Sequence, residues 1–317
     1  MSILITGATG CLGSNLTKKL VDDGNRVTIF RLGDDECKNL GEYSNKVTHK
    51  IGDVLNYKSI LEAMDGINQV YHVAGVSIPL NKYRDVITKV NIEGTRNVLK
   101  AAFNKKIKKI VYTSSVSAIG ISNNKSIDEN FEYNGEEFDF AYMHSKYEAE
   151  KIAQHYHKQG LNIVIVNPSA VLAPGASKDY GWLRVIEDLK KSRVFFYVDG
   201  GVGIVTKNDM VDGHIKAMKH GISGQKYILN TTNISYKDLI KLISKEVGGK
   251  RIIFGLPNGI LRFASVFRRF FPKRFGEMIS PEMVELMTRH IYYDQSKSVK
   301  HLKASQTSLI ESIKELV

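Results

Sequence analysis

The sequence predicts an α/β fold, a doubly wound parallel sheet followed by a smaller C-terminal lobe. Three observations carry that expectation. The chain opens on a short apolar run, Ser2-Ile3-Leu4-Ile5-Thr6, that leads straight into glycines at 7, 10 and 13. Apolar strand-like runs then alternate with helical spacings to about residue 170, the pattern of right-handed βαβ crossovers. Beyond that point the alternation loosens, and 317 residues exceed what one such sheet needs. The division expected is 1–170 for the sheet domain and 171–317 mainly for the lobe, with some lobe segments returning to the sheet.

The opening stretch reads as strand, glycine turn and helix. Gly7 permits the tight turn, Gly10 lets the backbone come close to a pyrophosphate, and Gly13 lets the helix pack on the strand. Backbone N–H groups at the start of the helix, together with its dipole, favour the phosphate charge. The helix continues through Leu16 and Leu20 and stops at Asp22-Asp23-Gly24-Asn25.

Arg26 to Arg31 reads as the second strand. Its end is where a dinucleotide fold meets the adenosine ribose. An acid there binds a 2′-hydroxyl, whereas the guanidinium of Arg31 suits a 2′-phosphate; a solvated strand-end arginine is the plainer alternative. Val47 to Gly52 is the third strand, followed by Asp53 and a helix from Tyr57 to Met64. Gln69 to Gly75 is the fourth strand, and its small C-terminal residues suit a close backbone approach to a cofactor. His72 within it reads as a packed core histidine. A helix covers Lys89 to Leu99, and the fifth strand runs from Lys108 to Ser115. The polar, acidic stretch Gly120 to Asp139 reads as a surface excursion. A helix from Tyr142 to about His157 and a sixth strand, Leu161 to Asn167, complete the sheet domain. In the lobe, helices are expected at Trp182–Lys191, Met210–Lys219 and Tyr236–Val247, with strands at Val194–Val198 and Lys226–Leu229.

Tyr142 and Lys146 stand at i and i+4 and share one helix face. A free phenol titrates near ~10 and is a poor base at neutral pH unless its anion is stabilised. A lysine one turn away supplies that charge, so Tyr142 can take or give a hydroxyl proton. Ser115, at the end of the preceding strand, can hydrogen-bond the carbonyl oxygen. Tyr-x-x-x-Lys alone is a weak signal; its order after the glycine loop, Asp53, Asn91 and a serine strand end makes it a site.

On these residues the chain resembles the extended (atypical) short-chain dehydrogenases/reductases of the NAD-dependent epimerase/dehydratase family. Thr6-Gly7-Ala8-Thr9-Gly10, Val90-Asn91 with Gly94-Thr95, Tyr142–Lys146, and later echoes at Gly203–Asp209 and Tyr292–Lys297 carry the likeness. Val111–Ser115 and Val166–Ser169 resemble the dihydroflavonol reductase-like and hopanoid-associated sugar epimerase groups. The resemblance implies Ser115, Tyr142 and Lys146 as catalytic residues. It implies cofactor contacts from Gly7, Thr9, Gly10, Cys11, Leu12, Gly13, Arg31, Asp53, Val54, Val73, Ala74, Gly75, Asn91, Lys146, Pro168 and Ser169. Asp53 would meet the adenine amino group, although a turn cap before the next helix is its simpler role. Asn91 would act as a structural or proton-relay residue. The sugar 4,6-dehydratases carry an acidic pair just after the strand-end threonine; Ser115-Val116-Ser117 offers no carboxylate, which argues against dehydration.

The expected activity is NAD(P)-dependent hydride transfer that reduces a ketone or oxidises a secondary alcohol, with NADP favoured over NAD. A nucleotide-sugar epimerase using the same residues is the alternative, and a non-catalytic dinucleotide sensor the third. Retention of both Tyr142 and Lys146 counts against the sensor. The substrate is expected to be a small carbonyl or alcohol compound, or a nucleotide sugar.

The net charge of +12 suits anionic partners, but no zinc-ligand spacing or aromatic RNA-binding motif is present, so neither a metal nor nucleic acid is expected. Two cysteines, Cys11 and Cys37, imply no disulfide framework and a reducing, cytoplasmic setting. No signal peptide is expected ahead of the first strand. No uncharged apolar run reaches spanning length. Members of the family often dimerise through helices that fall here at about 85–105 and 142–157. The segment 260–275 is basic and aromatic, and Ile260, Phe263, Ala264, Phe267 and Phe271 form an apolar stripe at helical spacing. It reads first as a lobe helix burying that stripe; contact with a membrane surface or recruitment of an anionic substrate are the sharper alternatives.

Overall fold

The protein is described from a computed structural model covering residues 1–176, 181–271 and 279–317. The first half builds strands β1 (Ser2–Thr6), β2 (Arg26–Arg31), β3 (Thr48–Ile51), β4 (Gln69–His72) and β5 (Lys109–Thr113), with β7 (Ile163–Pro168) closing that run. A further strand from the second half, β11 (Lys226–Leu229), pairs with β7, giving a seven-stranded sheet in the order β11–β7–β5–β4–β1–β2–β3. Every pair in it is parallel. The chain runs outward from β1 to β3 and then returns across β1 to β4. The crevice at the C-terminal ends of β1 and β4 is therefore the switch point where such sheets bind ligands.

Residues alternate faces along each strand. Ile3 and Ile5 of β1 point to one side, with Leu16 and Leu20 of helix α1 (Cys11–Asp22). Leu4 points to the other, with Ile60 of α2 (Tyr57–Ala63) and Val98 and Leu99. Those last two sit on a helical stretch made of α3 (Arg84–Thr88), a π-helical turn at Lys89–Gly94, and α4 (Thr95–Asn104). Such π turns concentrate at functional sites, and this one contains Asn91. Helix α5 (Ala141–Lys158) packs against α4 and supplies Ala149 and Ala153 to the same core. Helix α7 (Lys207–His220) returns from the second half to the first face, packing beside α1 and burying Met210 and Ala217 there.

The lobe is built on a second sheet. Strand β10 (Gly201–Thr206) pairs antiparallel with β12 (Thr232–Ser235) and parallel with β8 (Ala170–Leu172) and β14 (His290–Tyr293); β14 in turn pairs with β6 (Ser126–Ile127). Helices α6 (Trp182–Lys191) and α8 (Tyr236–Val247) cover it. A separate parallel pair joins β9 (Val194–Val198) to β13 (Ile252–Leu256). Pro257 then leads into α9 (Asn258–Val266), and α10 (Pro281–Met287) lies against α9.

Two expectations need correction. Gly120–Asp139 is not simply a surface excursion: it contributes β6, buries Ile121 and Ile127, and places Glu129 under β11, where its carboxylate accepts from Ile228 N at 2.8 Å. Tyr133 stacks on Tyr147 of α5 at 3.6 Å between centroids. The stretch looks polar because its acids lie between its few anchoring apolar residues. The second correction concerns α9, which buries Leu261 and Ser265 and leaves Ile260 and Phe263 at 58% and 68% exposure. The apolar stripe expected to face the core faces solvent. The rest of 260–275, from residue 272 on, lies outside the described residues.

Candidate active site

The glycine loop forms the floor of the crevice. Gly7 has φ +70°, and a Cβ there would stand 2.6 Å from Ala74 N, so the turn after β1 needs a bare α-carbon against the turn after β4. A Cβ on Gly13 would stand 2.0 Å from Gly7 O. Gly10 is the N-cap of α1, and the side where its Cβ would lie is open apart from Gly7 O at 3.5 Å. That open cradle at a helix N-terminus fits a pyrophosphate. Thr6 Oγ1 ties the two turns together, accepting from Ala74 N at 3.2 Å and meeting His72 Nδ1 at 2.8 Å. His72 is 1% exposed, lies between Thr6 and Thr95, and is pushed down to about 3 by burial and the nearby Lys146 charge; it is a neutral core group. Cys11 reaches Pro174 O, and burial raises its thiol to about 11, so it is protonated and unreactive at neutral pH. Leu12 packs against the first core face.

At the C-terminal end of β2, where the sequence places the adenosine contacts, further residues take part. Arg31 Nη1 donates to the carbonyls of Leu32, Gly33 and Asp35 at 2.9, 3.3 and 3.1 Å, and Nε to His49 Nδ1 at 3.0 Å. The guanidinium thus shapes the loop after β2, and Nη2 takes part in none of these bonds. An acid does sit here, four residues on: Asp35 accepts from Thr9 Oγ1 at 2.5 Å and from Cys37 N at 2.8 Å, tying the loop to the glycine turn. Asn39 adds a bond to Thr9 O. No periodicity marks Asp35, so only geometry finds it. Asp53 Oδ1 accepts from Leu55 N at 2.9 Å, closing a turn, while Asn56 is the residue that caps α2. Val54 lies beside Gly94, whose missing Cβ would stand 2.8 Å from it.

Tyr142, Lys146 and Ser115 meet at the other end of the crevice. Lys146 is 5% exposed, and its Nζ donates to Thr113 O at 3.0 Å. Burial lowers its ammonium to about 8, with the carboxylate of Glu150 opposing the fall. Burial raises the Tyr142 phenol, and a hydrogen bond with the Ser115 side chain acts against that rise. Ser115 Oγ also accepts from Ser117 N at 3.1 Å, capping the short turn Val116–Ala118. Asn91 is 1% exposed and clamps the strand end to the helix: Oδ1 accepts from Val76 N at 2.7 Å, and Nδ2 donates to Val76 O and to Ser145 Oγ at 3.0 and 2.9 Å. Gly75 lies over both: a Cβ there would stand 3.0 Å from Asn91 Oδ1 and 3.3 Å from Lys146 Nζ. Val73 continues β4 toward this point, donating to Thr6 O at 3.2 Å.

Glu150, Asn167 and Ser145 support the site and escaped the sequence reading. Asn167 Nδ2 donates to Ser115 O and to Glu150 Oε1 at 2.9 and 2.5 Å, and Lys226 pairs with Glu150 Oε2 at 3.4 Å. The signal for Glu150 was present: it follows Lys146 by four, as Lys146 follows Tyr142. Pro168 ends β7, and Ser169 N donates to Leu229 O. The hydroxyls of Ser114 and Ser169, buried at the ends of β5 and β7, have no hydrogen-bond partner among the described residues. Orphan donors at a strand-end crevice, the open glycine cradle and the bare Gly75 backbone fit a dinucleotide lying from β2 to α5.

The family model described as "NAD dependent epimerase/dehydratase family" matches residues 3–230. The chain belongs to that family. It is similar to a putative dihydroflavonol 4-reductase of Synechocystis sp., 30% identical over 99% of this chain and 92% of the relative. It is also similar to sterol demethylase protein B of Methylococcus capsulatus, 27% identical over 97% and 94%. Its fold matches the UDP-glucuronic acid 4-epimerase of Bacillus cereus solved in complex with NAD, with a TM-score of 0.79, 20% identity, and 99% and 96% of the two chains covered. This family member is accordingly an enzyme of the short-chain dehydrogenase/reductase type, acting as an NAD(P)-dependent oxidoreductase or epimerase.

A cavity of 1020 Å³ lies between Leu80 to Lys82, the segment 137–140 that enters α5, and α10; Tyr142, Lys146 and Ser115 are not among the residues that line it. Phe140 lines it and places its ring 6.2 Å from that of Tyr142. Leu286 lines the cavity too and packs in the cluster that includes Tyr142. Among its lining groups are Arg268, Arg289 and Lys82, and the carboxylates Glu282 and Glu285. No helix among the described residues is long and apolar enough to cross a membrane.

Proposed function

We propose that this enzyme reduces a ketone, or oxidises the corresponding secondary alcohol, with Tyr142 as the general acid/base. The observation that carries the reading is the hydrogen bond between Tyr142 and Ser115 beside a buried Lys146 that lies under the bare backbone of Gly75. The cofactor, when bound, supplies or accepts the hydride. Ser115 Oγ holds the substrate oxygen at the Tyr142 hydroxyl. In the reducing direction Tyr142 donates its proton to that oxygen; in the oxidising direction it accepts one. Lys146, cationic at neutral pH and fixed by Thr113 O, lowers the cost of the phenolate. Asn91 keeps the strand end and α5 in register, so that phenol, ammonium and Gly75 stay together.

The cofactor preference in this reading is NADP. Arg31 brings positive charge to the end of β2, and Nη2 is left over from its loop contacts to meet a 2′-phosphate. Charge-assisted bonds of this kind contribute about 1.5–3 kcal/mol each. Asp35 is turned toward Thr9 and Cys37 N by its hydrogen bonds, and the Arg31 guanidinium, bonded to its carbonyl, is the cation of that loop. A homodimer through the helical stretch 84–104 and α5, and a cytoplasmic site of action for a protein with two unpaired thiols, complete the reading.

One observation favours a second reading, nucleotide-sugar epimerisation: the cavity that Phe140 and Leu286 line next to Tyr142 has, at 1020 Å³, room for a substrate of nucleotide-sugar size. The two differ in net redox. A panel of aromatic and aliphatic ketones with NADPH, followed by UDP- and GDP-sugars with trace cofactor and chromatography, separates them. Stoichiometric NADPH loss with a ketone supports reduction. Sugar interconversion with no absorbance change, and no ketone turnover, replaces it with epimerisation.

A further inference from the structure

We propose that the face of the lobe formed by β13, α9 and the turn after it docks on an anionic lipid surface. The side chains are apolar and open. On α9 and just beyond it Ile260, Phe263, Val266 and Phe267 are 58%, 68%, 73% and 42% exposed. On the parallel pair, Phe196 of β9 and Phe254 of β13 stand opposite each other, each 51% exposed, with their rings 6.1 Å apart. So many large apolar side chains exposed on consecutive elements, β13 and α9, mark an interaction site. The helix does have a buried side, at Leu261 and Ser265, so its outer residues are a second apolar face and not a misplaced core.

Charge identifies the occupant. From Val247 to Gly276 the sequence contains seven cations, Lys250, Arg251, Arg262, Arg268, Arg269, Lys273 and Arg274, and no Asp or Glu. Glu285 and Glu282 reach Arg262 and Arg268 only at 4.0 and 3.8 Å, and both guanidinium groups stand exposed to solvent, where such pairs contribute little. Exposed phenylalanines interleaved with arginines are the composition of an interfacial helix, whose apolar side enters the headgroup boundary while its cations meet lipid phosphates. A second copy of this chain fits less well. A two-fold interface through this face would set the basic segment against itself, and nothing within the segment offers compensating acid. The docking face also meets the cavity between α10 and the segment 137–140, because Arg268 lines it. The surface assignment does not depend on whether the enzyme is a reductase or an epimerase.

The test is sedimentation of the full chain with vesicles of phosphatidylcholine, and of phosphatidylcholine mixed with phosphatidylglycerol. Binding is expected to the mixed vesicles and not to the neutral ones, with release at high salt. Phe263→Glu combined with Val266→Glu should lower binding at least about tenfold. Arg262→Gln should lower it about fivefold, the effect of one cation near such a surface. All of these side chains are exposed, and an unchanged thermal melt with unchanged cofactor binding shows that each variant is folded. Absence of binding to the anionic vesicles overturns the proposal, as does equal binding to neutral ones or indifference to both variants. A wild-type dimer that the Phe263/Val266 variant dissociates, with no vesicle binding, assigns the face to self-association instead.

Discussion

Gly75 holds its bare α-carbon over the Lys146 ammonium: a Cβ at that position would stand 3.3 Å from Nζ and 3.0 Å from Asn91 Oδ1. Those spacings are tight but not prohibitive for one methyl, whereas a branched side chain would enter the space between the strand end and α5. Gly75→Ala should therefore keep most of its activity and bind cofactor within a few-fold of wild type. Gly75→Val should lose cofactor binding by more than about tenfold, on the order of 1.4 kcal/mol. Titration of nicotinamide fluorescence measures both. Equal binding by the two variants would show that the crevice floor is elsewhere.

Tyr142→Phe should lower turnover by about 10²–10⁴-fold while leaving dinucleotide affinity nearly unchanged, because the phenol handles a proton and not the cofactor. Near wild-type turnover would remove Tyr142 from the chemistry.

Lys146 links activity to stability. Its folded-state value of about 8 lies below the ordinary 10.5 because burial disfavours the charge. The folded protein therefore bears the cost of a buried ammonium below pH 8. Between pH 8 and 10.5 the unfolded chain holds more protons than the folded one, so stability rises with pH across that window. Lys146→Met removes the cost, and the variant should be inactive yet more stable at pH 7, by on the order of 1–3 kcal/mol. The stability gain of the variant over the wild type should be largest below pH 8 and shrink as the pH rises from 8 to 10.5, a difference from which the shifts of Cys11 and the buried tyrosines cancel. A variant that melts lower at pH 7, or whose difference from the wild type does not change with pH, would contradict the burial account.

Arg31 and Asp35 can be separated by mutation. Arg31→Asp should reverse or erase a preference for NADP(H) of tenfold or more, as expected for charge-assisted bonds of about 1.5–3 kcal/mol. Asp35→Asn should loosen the loop that Thr9 and Cys37 N hold, weakening both cofactors alike. Dissociation constants for NADPH and NADH with each variant are the measurement. Equal wild-type affinity for the two cofactors would rule out the assigned role of Arg31.

Legibility in the sequence followed physical periodicity. Trp182–Lys191, Val194–Val198, Lys226–Leu229 and Tyr236–Val247 fall at the predicted bounds because each is a short uninterrupted apolar pattern. The glycine loop and Tyr142–Lys146 were legible because their spacings are local. Strands β8, β12 and β14 were not, since each has only three or four residues and its partners are distant in the chain. The orientation of α9 was missed for a different reason. Helical spacing identifies an apolar face but not what lies opposite it, and α9 has two such faces. Asp35 and Asn167 act through contacts 26 and 52 residues away, at Thr9 and Ser115, which no window along the chain can register.

The last prediction concerns two histidines that no step of the chemistry uses. His72 and His214 are both fully enclosed, at 1% and 0% exposure. His214 Nδ1 lies 2.7 Å from Met210 O, a pure acceptor, so Nδ1 carries the ring proton and Nε2 accepts from the Thr113 hydroxyl at 3.0 Å. Burial lowers His214 to about 4 and His72 to about 3, against an ordinary value of 6.5. Both rings are neutral in the folded protein, and both take up protons on unfolding as the pH falls below 6.5. Stability from these groups is therefore complete above pH 6.5 and lost progressively toward pH 4 and 3. Each contributes a slope of up to about 1.4 kcal/mol per pH unit. Chemical denaturation at intervals from pH 7 to 4.5 should show that loss, and His214→Gln should remove about half of the histidine contribution to the slope. A wild-type profile that stays flat from pH 6.5 to 4.5 would mean that the rings already accept protons in the folded state, and that Thr113 and Met210 do not enclose His214 as described.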